Sequence, residues 1–110
     1  MMSPTAAVLR YVDGHYKDGT LADLAALLGM HFSAVSKRIT RQFGCTFKDL
    51  LQEKRLQKAA ALLVSTTMPV GDIIAAVGYE NTSYFFRIFK EKCGVSPTKY
   101  RNNMSNKDAK

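Results

Sequence analysis

The chain has no tryptophan, three prolines, two cysteines and two histidines, and each scarcity removes a class of function. Cys45 and Cys93 cannot build a disulfide framework and form no C-x-x-C pair. His15 and His31 stand apart, without a second histidine at helical spacing, which argues against a metal site. Gly-rich phosphate loops, a G-x-S-x-G elbow and clustered carboxylates are missing, so neither a cofactor nor an enzymatic centre is expected. No apolar run approaches the ~18 residues that a membrane span needs. The first residues lack the basic and apolar stretches of a secretory signal, and the chain reads as cytoplasmic. Acids are scarce as well: nine Asp and Glu face sixteen Lys and Arg, for a net charge of +7. What remains is 110 residues, 46% of them hydrophobic, enough for one compact domain or two very small ones. The expected partner of such a basic domain is a polyanion.

Alternation of apolar and polar residues never persists, whereas spacings of three and four recur along the chain. The spacing predicts an all-α fold of seven helices. Ser3-Pro4 opens the first, with Val8, Leu9, Val12 and Tyr16 as its apolar stripe and Asp18-Gly19 as its stop. Thr20 caps the second, in which Leu21, Leu24, Ala25 and Leu28 face inward and Gly29 ends the helix. The third runs from Phe32 to Phe43 on a seam of Val35 and Ile39. Thr46 caps a long fourth helix over 47–65. Thr66 to Pro69 form a break, a short fifth helix covers 70–77, and Asn81 caps a sixth that ends near Cys93-Gly94. Ser96-Pro97 opens a last short helix through Tyr100.

The chain also repeats itself. Residues 22–30 (ADLAALLGM) lie over 71–79 (GDIIAAVGY) at an offset of 49, and beyond the turn the offset becomes 50. Val35 then pairs with Phe85, Lys37 with Arg87, Ile39 with Phe89 and Gly44 with Gly94. The extra residue falls within Tyr79 to Thr82. Each copy is a short apolar helix, a glycine turn and a longer helix with a basic outer face, which is a helix-turn-helix unit. Ala26 and Ala75, three residues before each glycine, are expected to let two helices cross closely. The organisation predicted is a first unit over 1–45, a linker helix over 46–65, a second unit over 66–102 and a polar tail over 103–110. At ~1.5 Å per residue the linker spans roughly 28 Å, comparable to the ~34 Å between half-sites of helix-turn-helix dimers. Two unlike reading helices on one chain predict an asymmetric site, read in successive major-groove segments.

With these residues in view, the sequence resembles the DNA-binding domain of AraC/XylS-type transcription regulators. The likeness rests on Val77-Gly78-Tyr79, Ser83-Tyr84-Phe85, Arg87, Phe89-Lys90, Gly94, Ser96-Pro97 and Tyr100-Arg101. Leu24-Ala25, Gly44, Arg55-Leu56, Ala59 and Leu62-Leu63 add to it, and it extends over 9–101. The resemblance implies two helix-turn-helix units on a linker helix, action at promoters on double-stranded DNA, and contact with RNA polymerase. It also implies a separate sensing or dimerising domain, for which these residues leave no room. In the first unit His31 stands where the family usually has a capping serine, Arg38 where it often has an apolar residue, and Ile39 where it has phenylalanine.

The reading helices then nominate their own contacts. Near the start of the third helix, Ser33, Ser36 and Lys37 are assigned to base edges, and Thr40 and Arg41 further along to phosphates. On the sixth, Thr82, Ser83, Phe86 and Arg87 are assigned to bases and Lys90 to phosphate. Arg87 has the fork that fits guanine. Phe86 could instead belong to the core. Arg55, on the linker, is a phosphate candidate or a structural partner of an acid such as Asp72. Arg101 is a rim residue assigned to the backbone, and Tyr100 to the core. The plain alternative for both basic faces is a solvated helix surface, and for the whole chain an all-α protein-interaction module without DNA sequence preference.

Overall fold

A computed structural model describes the backbone of residues 3–108 and the side chains of residues 3–104. Among the described residues seven helices follow one another: α1 (Pro4–His15), α2 (Leu21–Leu28), α3 (Phe32–Phe43), α4 (Phe47–Ser65), α5 (Val70–Ala76), α6 (Thr82–Cys93) and α7 (Pro97–Asp108). No strand occurs among the described residues. They pack as two compact units, Met1–Lys54 and Arg55–Lys110, so the nineteen-residue α4 gives its first half to one and its second half to the other.

In the first unit Val8, Tyr11, Val12, Leu24, Ala25, Val35, Ile39, Phe47 and Leu51 form one apolar cluster. The buried stripe of α1 is Val8, Tyr11 and Val12, not the expected Val8, Leu9, Val12 and Tyr16. Leu9 is 49% exposed, and Tyr16 lies just past the last helical residue. Residues at i, i+3 and i+4 share a helix face, and Leu9 is a quarter-turn off it. Tyr11 also has polar work: its hydroxyl accepts from the Thr20 N–H at 3.0 Å. The chain can turn there because Gly19 has no Cβ, which would meet the His15 carbonyl oxygen at 2.6 Å.

The second unit is built on rings. Phe85 and Phe89 are wholly buried with centroids 5.6 Å apart. Tyr100 stands edge-on to Phe89 at 5.5 Å, and Tyr79 does the same to Phe85 at 5.4 Å. Leu56, Ala59 and Leu63 of α4, Ile73, Ile74 and Val77, Ile88 and Pro97 are buried with them.

Both turns use the same backbone device. Gly29 N–H donates to the Ala26 carbonyl and Met30 N–H to Ala25; Gly78 N–H donates to Ala75 and Tyr79 N–H to Ile74. These are paired 5→2 and 6→1 bonds closed by a glycine at positive φ, +65° and +105°. The expected role of Ala26 and Ala75 is thereby corrected. Both are exposed, and the buried positions are Ala25 and Ile74 one residue earlier. The alanines contribute their carbonyls to the turn, not small side chains to a helix crossing. The last helix also differs from expectation: α7 continues to Asp108 because no glycine or proline follows Pro97 to stop it. Residues 103–108 are therefore helical, while 109–110 lie outside the described residues. Cys45 and Cys93 are free and half-buried, and burial above all pushes both thiols up from their ordinary value. Both suit small fillers that stay protonated.

Candidate nucleic-acid interface

The first candidate surface is the outer strip of α3. Ser33, Ser36, Lys37, Thr40 and Arg41 are all exposed, while Val35 and Ile39 on the opposite side are wholly buried. Residues 33, 36, 37, 40 and 41 follow i, i+3, i+4, i+7, i+8 and so form one stripe. No acid lies in the first turn. The N-cap is His31, whose Nδ1 accepts from the Ser33 N–H at 3.2 Å and lies 2.9 Å from the Ser33 hydroxyl oxygen. An imidazole thus does here what a hydroxyl or carboxamide does at most helix starts. Its ring stacks on the 56%-exposed Phe32, centroids 4.6 Å apart. Ser33 is consequently held against the cap. Thr40 gives its hydroxyl proton to the Ser36 carbonyl at 3.1 Å, which leaves its oxygen to accept. Arg38 is half-buried, and its Nε is buried without a hydrogen-bond partner. The seam on Val35 and Ile39 nonetheless closes fully.

The second surface is the strip on α6. Thr82, Ser83, Phe86, Arg87 and Lys90 are exposed, and Phe85, Ile88 and Phe89 are buried behind them. Asn81 caps the helix through its side-chain oxygen, which accepts from Tyr84 N–H at 2.9 Å. Phe86, open between core and surface in the sequence, lies on the surface side at 36% exposure, with only an edge contact to Phe85 at 6.4 Å. Arg87 lays its guanidinium over the Tyr84 ring, 5.2 Å from the centroid. Tyr84 entered the sequence analysis only through the family likeness and was given no role in the site. The signal was present in the i, i+3 spacing of a ring and a cation on one helix.

Two of the five nominated phosphate contacts have partners within their own unit. Arg101 is turned into its own unit. Its Nε donates to the Leu63 carbonyl at 2.9 Å, and one terminal nitrogen donates to Thr66 at 3.3 Å and Met68 at 2.7 Å. Leu63 is among the last four residues of α4, whose carbonyls have no partner within the helix. The guanidinium closes that end and fastens the 66–69 break, a structural duty for its Nε and one terminal nitrogen. Arg55 is half-buried with its guanidinium 5.2 Å from the centre of the Tyr79 ring. The Tyr79 ring is thus one structural neighbour of Arg55. Tyr79 is buried, which raises its phenol above the ordinary value against the opposing pull of the Arg55 charge. Thr40, Arg41 and Lys90 remain on the exposed strips; Arg55 and Arg101 are on neither.

The chain matches known proteins along most of its length. A family model described as a helix-turn-helix domain covers residues 24–103. The HTH-type transcriptional regulator YisR of Bacillus subtilis is 36% identical over 99 residues, which are 89% of this chain and 34% of that protein. The xylose operon regulatory protein of Escherichia coli is 30% identical over 95 residues, 86% of this chain and 24% of that one. The chain therefore spans about a third or less of these relatives. Among solved structures, the C-terminal domain of AraT, a response regulator from Geobacillus stearothermophilus, superposes with a TM-score of 0.82 at 35% identity, covering 93% of this chain and 86% of that one. Two glycine-closed turns, two exposed basic strips and these relatives converge: the chain belongs to the AraC/XylS-type helix-turn-helix family, the DNA-binding domains of transcription regulators.

Proposed function

We propose that α3 and α6 are both reading helices and that each occupies its own major-groove segment of one asymmetric site. The carrying observation is the same on both. Every nominated base-reading side chain, Ser33, Ser36 and Lys37 on one and Thr82, Ser83, Phe86 and Arg87 on the other, is exposed on a strip backed by buried apolar residues. A major groove is wide enough for a helix presented in this way. Arg87 reads guanine through its fork, and Phe86 presses on a thymine methyl. Arg41, Thr40 and Lys90 hold phosphates and set the register. A-form RNA is disfavoured, because its major groove is too deep and narrow for side chains to read.

In the whole regulator, sensing or dimerisation belongs to segments beyond these residues, and promoter action includes contact with RNA polymerase in the bacterial cytoplasm. The small share of each relative that the chain spans supports this division. The test is selection from a library of randomised duplexes, with affinity then measured against salt. A surviving sequence preference on top of a steep fall in affinity with salt is expected. Weak salt dependence with no preference among sequences would turn the domain into a protein-interaction module.

A further inference from the structure

Arg87 is held from behind. One turn back on α6, the Tyr84 ring lies beneath its guanidinium at 5.2 Å. The Tyr84 ring is itself 6.1 Å from that of Tyr79, inclined at 56°. Tyr79 is anchored: it is 8% exposed, it meets the wholly buried Phe85 edge-on, and it carries the Arg55 guanidinium at 5.2 Å. Arg55, Tyr79, Tyr84 and Arg87 thus form a continuous ladder of cation, ring, ring and cation, running from α4 to the strip on α6. The repeat supplies a built-in contrast. At the offset of 50 the counterpart of Arg87 is Lys37 and that of Tyr84 is Ala34, so the first unit has no ring at the matching position.

We infer that Tyr84 is a positioning residue for base recognition: its ring, seated on Tyr79, holds the Arg87 guanidinium in place before DNA arrives. An exposed arginine samples many rotamers, and the one that fits a base edge must be selected on binding. A planar guanidinium already stacked on a ring loses less freedom when it engages. The inference rests on the reading of Arg87 as a base-contacting residue.

The test compares Tyr84→Leu, Tyr84→Phe, Arg87→Ala and the double variant Tyr84→Leu/Arg87→Ala in randomised-duplex selection. Tyr84→Met stands in for Tyr84→Leu if the latter fails to fold by circular dichroism. Arg87→Ala should erase the preference at one base pair. Tyr84→Leu should weaken the preference at that same pair by about two- to fivefold, the range of a solvent-exposed cation–π contact, with the other positions and the salt dependence unchanged. Tyr84→Phe keeps the ring and should behave as the wild type, and the double variant should match Arg87→Ala alone. In DNA-free protein the Arg87 Nε–H proton should show a ring-current shift that persists in Tyr84→Phe and vanishes in Tyr84→Leu. An evenly weakened binding to all sequences, an additive double variant or an unchanged preference in Tyr84→Leu would overturn the positioning role alone. An unchanged preference in Arg87→Ala would overturn the base-reading assignment and the positioning role with it.

Discussion

At an offset of fifty, the strips on α3 and α6 set Ser33 against Ser83, Ser36 against Phe86, Lys37 against Arg87, Thr40 against Lys90 and Arg41 against Glu91. Behind them Val35 and Ile39 stand against Phe85 and Phe89, and the caps are His31 against Asn81. The turns, by contrast, are alike bond for bond. The backbone device has been kept while the chemistry on either side of it has diverged. Over residues 32–43 there are three cations and no acid, whereas over 82–93 Glu91 offsets one of three cations. The stretch that holds α3 therefore carries the larger excess of positive charge. α6 has a ring core behind it and Arg87 on a ring in front. The difference teaches that a repeated fold divides its labour by side chain once its turns are fixed.

The largest expected effect tests the core half of this contrast. Phe85→Ala should cost about 3–5 kcal/mol, because a buried ring leaves a cavity that its neighbours cannot fill. Ile39→Val at the seam of α3 should cost only about 0.5–1.5 kcal/mol. Denaturant unfolding followed by circular dichroism measures both, and a loss in Phe85→Ala no larger than that in Ile39→Val would show that the Phe85 ring does not carry the core of its unit. Next comes Arg101→Ala, expected to lose about 1.5–3 kcal/mol of stability, as charged hydrogen bonds to part-buried carbonyls do. The dependence of DNA affinity on salt should stay as it was. A shallower salt slope at undiminished stability would return Arg101 to the phosphates. Third, Arg41→Ala should weaken binding to all sequences alike and reduce the salt slope by about one. Arg87→Ala should instead lose about 1–3 kcal/mol of discrimination at one base pair. The same pattern from both variants would dissolve the division between seating and reading.

Much of this was legible in the sequence, because helix punctuation is local. Ser3, Thr20, Thr46, Asn81 and Ser96 each accept a backbone N–H three residues on, and the glycines mark the turns. Exposure of the α3 strip and of Thr82, Ser83, Arg87 and Lys90 followed from period, whereas Phe86 stayed open between core and surface. Other features are set by distant partners. Arg101 reaches carbonyls 38, 35 and 33 residues away, and no spacing rule reports that a cation near a chain's end will turn inward. Arg55 and Tyr79 are separated in the same manner. Leu9 and Tyr11 differ in burial because packing chose between two nearly equivalent faces of α1. The alanines before each glycine were misread because their carbonyls, not their side chains, carry the turn.

The smallest effect separates the two units by pH. Thr46 and Asp49 cap α4 reciprocally: Asp49 N–H donates to the Thr46 hydroxyl oxygen and Thr46 N–H donates to the Asp49 carboxylate, both at 3.1 Å. The bonds from Thr46, backbone first, hold the Asp49 carboxyl below its ordinary value, with the Lys48 charge assisting. A carboxyl held low in the folded state is more readily ionised there than in the unfolded chain. Its contribution to stability is therefore present above the ordinary carboxylate range and lost as pH falls through the lowered value. Fifty residues on, Ser96 caps α7 by accepting from the Lys99 N–H at 3.2 Å, and Lys99 stands where the first unit has its acid. That cap has no titrating member at acid pH. Asp49→Asn should accordingly flatten part of the acid-side loss of stability, as measured by thermal melts at stepped pH alongside carboxyl-carbon NMR of the wild type. Ser96→Ala should lower stability by about 0.5–2 kcal/mol without changing that acid limb. If Asp49→Asn leaves the limb as steep as in the wild type, the titrating cap contributes nothing, and the two units are alike in this respect after all.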